Sequence, residues 1–313
     1  MAMTKSQSTN TAKLSLGPLM FNWPAEKWRD FYFRIADEAT VDTVYLGEVV
    51  CSKRTSFFEP HLADVIERLQ GAGKEVVLST LALVMTDREM GQIRAVTGSD
   101  EIVVEANDVS TVSLSAGRSH VIGPFVNVYN EGTLEFFARR GATRICLPVE
   151  VSAPTLAVLS AKAEQLGIEI ETIVFGRLPL AVSARCYHAR AHNLNKGGCE
   201  FVCAEDRDGL DLETLDGKSF LTVNGTQTLS DSCCNLLAEV DAMRDMGVRR
   251  FRLSPQDVDM VAVAKVFRDV IDGRTEIAEA SRHIEKLAQR FTFSNGYFYG
   301  VEGAQMVLDQ RFV

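Results

Sequence analysis

Eight short β-rich runs, separated by helical patterns, predict an α/β fold built as a TIM-type (β/α)8 barrel. A chain of 313 residues suits one such barrel of about 250 residues with additions. A gap of about seventy residues between the seventh and eighth runs predicts a cysteine-bearing insertion after strand seven. An open doubly wound sheet also alternates strands and helices. It usually brings a Gly-rich phosphate turn, however, and the chain carries neither G-x-G-x-x-G nor a P-loop pattern.

The elements follow in order. Lys13–Leu19 is the first expected strand, and Pro24 opens a helix with Asn22 as its cap. Thr43–Val50 is nearly all apolar, as a strand buried on both faces should be, and a helix over His61–Gln70 stops at Gly71. Glu75–Val84 and Glu101–Glu105 are strands, with helices from about Asp87 and Asp108. Phe125–Tyr129 precedes a helix over Leu134–Arg140, and Thr143–Leu147 one from Pro154 to Leu166. Ile168–Val174 is the seventh strand; Arg250–Leu253, the eighth, leads into a helix over Val258–Ile271. Within the insertion, about 176–248, Asn224-Gly225 joins Ser219–Val223 to Thr226–Leu229 as a hairpin, and a helix is expected over Cys233–Met246. A further helix is expected from Asn295, through Tyr297, Phe298 and Tyr299.

With 33 Lys and Arg against 42 Asp and Glu, the net charge of −9 disfavours nucleic acid or an anionic membrane face as the main partner. Hydrophobic residues make up 46% of the chain, enough for a packed core rather than a disordered one. The polar start is expected to be a disordered tail over 1–12, with 13–313 forming one domain. No apolar run of ~18 residues predicts a membrane span, and no secretory leader is evident, so a cytoplasmic protein is expected.

Seven cysteines in a reducing compartment argue against a disulfide framework and for metal or redox chemistry. Cys186, Cys199 and Cys203 follow the spacing C-x12-C-x3-C, and Cys51 lies just past the second strand. Residues after barrel strands gather at the C-terminal rim, so these four thiols can meet above the barrel mouth. An iron–sulfur cube takes four thiolates, one of them commonly from elsewhere in the chain. Zinc prefers paired short spacings, but His188 and His192, four apart, leave a Cys/His zinc site open beside a plain polar network. Unligated thiols are the third reading. Cys146, Cys233 and Cys234 sit among apolar neighbours and are expected to be structural. Around the rim, Glu48, Lys53 and Arg54 near Cys51, and Glu105, Asn127, Asn130 and Arg177, are weaker candidates.

Tyr45-Leu46-Gly47-Glu48, the run from Val174-Phe175-Gly176 to Ser183-Ala184-Arg185-Cys186, and Phe251-Arg252-Leu253-Ser254-Pro255 resemble the collagenase-like peptidase superfamily over about 13–305. Its usual signature places cysteines three and ten residues after the glycine. Here Pro179 stands at the first position and Cys186 at the second, with Cys51 positioned to replace the missing thiol. That departure, with Pro148-Val149-Glu150-Val151-Ser152, resembles the ubiquinone-biosynthesis branch of the superfamily. The resemblance implies a 4Fe–4S cluster on Cys51, Cys186, Cys199 and Cys203. It also implies a paralogous barrel partner bearing its own cluster, a lipid-carrier protein, and oxygen-independent hydroxylation of aromatic polyprenyl precursors. A zinc-stabilised binding subunit without redox chemistry is the alternative. Neither a Ser-His-Asp arrangement nor H-E-x-x-H supports peptidase activity, and no catalytic residue is assigned.

Overall fold

In the computed structural model, residues 12–99 and 101–308 are described. The expected tail lies outside them apart from Ala12, which is buried against the core. The first half of the chain alternates β1 (Lys13–Leu16), α1 (Ala25–Glu38), β2 (Thr43–Leu46), α2 (Thr55–Gly71), β3 (Glu75–Ser79), α3 (Asp87–Val96), β4 (Val103–Ala106) and α4 (Val109–Leu114). It continues through β5 (His120–Ile122), α5 (Glu131–Ala138), β6 (Ala142–Cys146), α6 (Ala153–Leu166) and β7 (Glu169–Val182). The insertion holds α7 (Tyr187–Ala191), β8 (Leu210–Glu213), β9 (Ser219–Asn224), β10 (Gln227–Asn235) and α8 (Val240–Asp245). Then come β11 (Arg250–Leu253), α9 (Met260–Ile271), α10 (Ile277–Leu287) and β12 (Phe293–Ser294).

Strands β1 to β7 pair in order, and β11 pairs in parallel with both β7 and β1, closing eight parallel strands into the expected barrel. The helices bury their apolar stripes on its outside: Trp28, Tyr32 and Ile35 of α1, and Val263, Phe267 and Val270 of α9, join one continuous core. Gly47 lets β2 leave the barrel. Its φ is +121°, and a Cβ there would stand 2.4 Å from the Ser79 carbonyl oxygen, so no other residue fits the turn.

The barrel interior is charged rather than filled with branched apolar side chains. Arg252 of β11 pairs with Glu105 of β4 at 2.7 Å and Glu171 of β7 at 2.5 Å, while Tyr45 of β2 donates to Glu171 at 2.7 Å. Side chains from these separated strands can meet only across the interior. Burial of such charges is tolerable because each is paired.

Four local expectations are corrected. The fifth strand is His120–Ile122, not Phe125–Tyr129, because Pro124 ends it and starts a short 3-10 turn. Cys233–Asn235 belong to β10, paired antiparallel with Phe175–Arg177, so the helix expected from Cys233 is confined to Val240–Asp245. Tertiary pairing overrides a weak helical pattern there. From Asn295 the chain makes turns rather than a helix. Asn22 does not cap α1; its side chain reaches elsewhere.

Candidate metal centre

Cys51 sits in the loop after β2, at the C-terminal rim. The Glu48 carboxylate shapes that loop by accepting from the amides of Val50 and Cys51, each at 2.8 Å. A 3-10 turn over Ser52–Arg54 then leads into α2 and aims two cations back at the loop. From the other side comes the insertion. Strand β7 runs past the barrel wall, pairs with β10 and delivers Cys186 to the start of α7, where its Sγ accepts from the Ala189 amide at 3.4 Å.

The hairpin β9–β10 closes the space between these segments. Its turn residues are Gly225 and Thr226, between paired Asn224 and Gln227, and positive φ falls on Gly225 alone. Asn224 is therefore a strand residue rather than half of the turn. The Thr226 hydroxyl donates to the Val50 carbonyl at 2.8 Å, and the Gly225 carbonyl accepts from the His188 amide at 3.3 Å. One turn thus grips both cysteine-bearing loops.

Cys186 and Cys199 pack in one buried cluster with Ala189, against Leu194 and Phe201. Cys203 is also buried, and its Sγ accepts from Asn22 Nδ2 at 3.4 Å. Lys53 Nζ donates to Cys199 Sγ at 3.4 Å and to the carbonyls of Lys196 and Gly197. Cys186 feels the charges of Cys203 and Cys199, and Arg54 those of Cys203 and Cys51. All four cysteines therefore share one neighbourhood. Burial pushes the Cys51 and Cys186 thiols up from the usual range, opposed by Arg54 and, at Cys186, first by the Ala189 amide. Among the described residues, no three His, Cys, Asp or Glu side chains converge as ligands of a single ion.

The remaining sulfurs lie elsewhere. Cys146, Cys233 and Cys234 are fully buried thiols, and burial drives Cys233 up to about 12. His188 is sealed, with Nε2 2.9 Å from Asp206, and His192 Nδ1 meets the His188 carbonyl at 3.0 Å. The pair belongs to a polar network. Arg177 and Glu105 are buried in ion pairs, and Asn130 caps α5.

Asn22 and the Asn224–Thr226 turn are the parts that sequence reasoning missed as site components, while Lys53 and Arg54 were only weaker candidates. Lys53 and Arg54 look like solvated charge; their adjacency to Cys51 was the available signal. Arg54 is 2% exposed. Met20, Glu105, Asn107 and Arg252 line a narrow cavity of about 20 Å³ in the barrel mouth. A wider hollow of about 240 Å³ opens beyond it, lined by Leu83, Pro124, Asn127, Val149, Glu150 and Leu180.

The fold is that of a (β/α)8 barrel protein, with Cys51 in the loop after β2 and Cys186, Cys199 and Cys203 in the segment after β7. Residues 31–308 match the model of peptidase family U32, and the chain belongs to that family. It is 27% identical over 191 residues to the tRNA hydroxylation protein P1 of Bacillus subtilis strain 168, covering 56% of this chain and 44% of that protein. It is 23% identical over 297 residues to a Collagenase of Porphyromonas gingivalis, covering 85% of this chain and 70% of that one. The chain thus spans under half the length of the first relative. Among solved structures, the tryptophan synthase alpha subunit of Campylobacter jejuni overlays with a TM-score of 0.39 at 8% identity, covering 91% of this chain and all of that one. No helix among the described residues is long and apolar enough to cross a membrane.

Proposed function

We propose that this chain acts as UbiV does: a 4Fe–4S-binding component of an oxygen-independent hydroxylase complex acting on aromatic ubiquinone precursors in the cytoplasm. What supports the reading is that Cys51 and Cys203 both lie within charge reach of buried Arg54, as Cys186 does of Cys203, Arg54 and Cys199. The family's hydroxylation-named relative supports the reaction class. The donor set fits such a group, because N–H donors from Asn22, Lys53 and Ala189 already face three of the sulfurs.

The four cysteines would hold the cluster, which when bound supplies electron-transfer chemistry that side chains lack. The protein's own part is to bind and shield. Burial of three of the thiols keeps water from the site, while Glu48 fixes the Cys51 loop. The hollow at the barrel mouth, walled by Pro124, Val149 and Leu180 with Asn127 and Glu150, is the place this reading assigns to the aromatic precursor. The reading places a UbiU-like paralogous barrel as heterodimeric partner, with a UbiT-like lipid carrier presenting the polyprenyl precursor. It assigns no peptidase role.

Elemental analysis after anaerobic purification is the test. About four iron and four sulfide per chain are expected. Single Cys→Ala changes at 51, 186, 199 and 203 should lower the iron, and changes at 146, 233 and 234 should leave it. One zinc per chain and no sulfide overturns the reading in favour of a zinc-stabilised scaffold.

A further inference from the structure

Arg54 is buried near the thiols, and no carboxylate comes close enough to form a direct ion pair with it. Nη1 donates to the Met20 carbonyl at 2.8 Å and Nη2 to Asn224 Oδ1 at 2.9 Å, both neutral acceptors. Nε, also buried, has no hydrogen-bond partner. No carboxylate among the described residues forms an ion pair with it. This contrasts with Arg144, Arg177, Arg250 and Arg252, which are equally buried and each pair with Asp or Glu. The nearest candidate, Glu48, spends its Oε1 on the amides of Val50 and Cys51. Burial opposes the charge of Arg54, and Glu48, then Cys203 and Cys51, favour it without touching it as a salt bridge does.

The surroundings are nevertheless shaped for it. Gly225, at φ +63°, turns the β9–β10 hairpin so that a Cβ there would stand only 2.6 Å from Arg54 Nη2. Asn224 spends its own Nδ2 on the Met20 carbonyl, so that its Oδ1 stays turned to Arg54. Two segments distant from it in sequence, at Met20 and at Asn224–Gly225, therefore build a socket for one guanidinium. The anions its charge reaches are Glu48, Cys203 and Cys51.

We infer that Arg54 is the internal counter-charge of the anionic group the four cysteines hold, and thereby a positioning residue that sets the group's potential. The inference rests on the cluster reading above. Ligating cysteines are thiolates, and a thiolate-bound iron–sulfur group carries net negative charge. With that charge in place, the unpaired guanidinium acquires the partner it lacks among the protein's carboxylates. A fixed positive charge favours the reduced, more negative state of such a group.

The test compares wild type, Arg54→Met and Arg54→Lys, each reconstituted anaerobically with ferrous iron and sulfide. Iron content, midpoint potential and melting temperature are recorded for loaded and metal-free protein. Wild type that takes up no iron defeats the cluster reading itself. Given loaded wild type, Arg54→Met should hold less iron, and what remains should titrate at lower potential. Its metal-free form should melt lower, because Asn224 Oδ1 loses its donor and buried Glu48 its nearby cation, so potentials are compared only between folded, loaded proteins. Arg54→Lys keeps the charge and loses the fork, so its potential should stay near the wild-type value while its stability falls. The inference is overturned if Arg54→Met keeps both iron and potential, or if folded, loaded Arg54→Lys shows a clearly lowered potential. The Lys variant decides the matter even where Arg54→Met does not fold.

Discussion

The hydroxyl of Thr226 donates to the carbonyl of Val50 at 2.8 Å, joining residues 176 apart in sequence. The bond pins the hairpin turn of the insertion to the loop that carries Cys51. Thr226 is 2% exposed, so neither partner has water as a substitute. Thr226→Val keeps the shape and removes the donor. Urea denaturation of the metal-free protein should register a loss of about 1–2 kcal/mol, and an unchanged midpoint would show that the bond contributes nothing.

Gly225 and Gly273 separate two costs of substitution. Both have positive φ, +63° and +67°, but a Cβ at 273 meets nothing within 4 Å whereas one at 225 meets Arg54. Gly273→Ala should cost about 1 kcal/mol for backbone strain alone. Gly225→Ala should cost clearly more, about 2–3 kcal/mol, because the guanidinium must also move. Equal losses in paired denaturation curves would remove Arg54 from the account of that turn.

Inside the barrel, Arg252 holds two carboxylates and lies 3.8 Å over the Tyr45 ring. Arg252→Met leaves Glu105 and Glu171 buried without their cation and should cost about 3–5 kcal/mol. Despite burial, which opposes its charge, Arg252 and Arg144 hold Glu171 down from 4.5 to about 2. A depressed carboxylate stabilises the fold fully above its unfolded value, and that contribution fades as pH falls from about 4.5 toward 2. Glu171→Gln should flatten this part of the stability profile, and a slope as steep as wild type would place the acid sensitivity elsewhere.

Cys51 is the one half-buried thiol among seven cysteines; the other six are buried. Brief alkylation of metal-free native protein, read by peptide mass spectrometry, should mark Cys51 first. Cys146, Cys233 and Cys234 should react only after unfolding. Early labelling of Cys233 would mean that β10 opens locally from the sheet.

The barrel was legible because strand burial and helix spacing leave strong periodic marks: Arg250–Leu253 and the helix ending at Ile271 were placed by pattern alone. Phe125–Tyr129 misled because it is apolar and aromatic like a strand, while Pro124 and the positive φ at Asn127 set a tight turn instead. Cys233 and Cys234 misled for the opposite reason: what fixes them is a long-range pairing with Arg177 and Gly176, which no local window contains. The four candidate cysteines were visible from spacing. Of the side chains around them, Arg54 was marked by its adjacency to Cys51, whereas Asn22 and Asn224 reach the site only through the closed fold.

Strand β7 is a single piece of backbone that serves first as barrel stave, against β6 and β11, and then as the spine of the outer sheet, against β10. Gly176, at φ +116°, lies where one duty passes to the other. The outer sheet is thus rooted in the barrel wall, and the loop carrying Cys186 starts from a strand that the barrel itself holds.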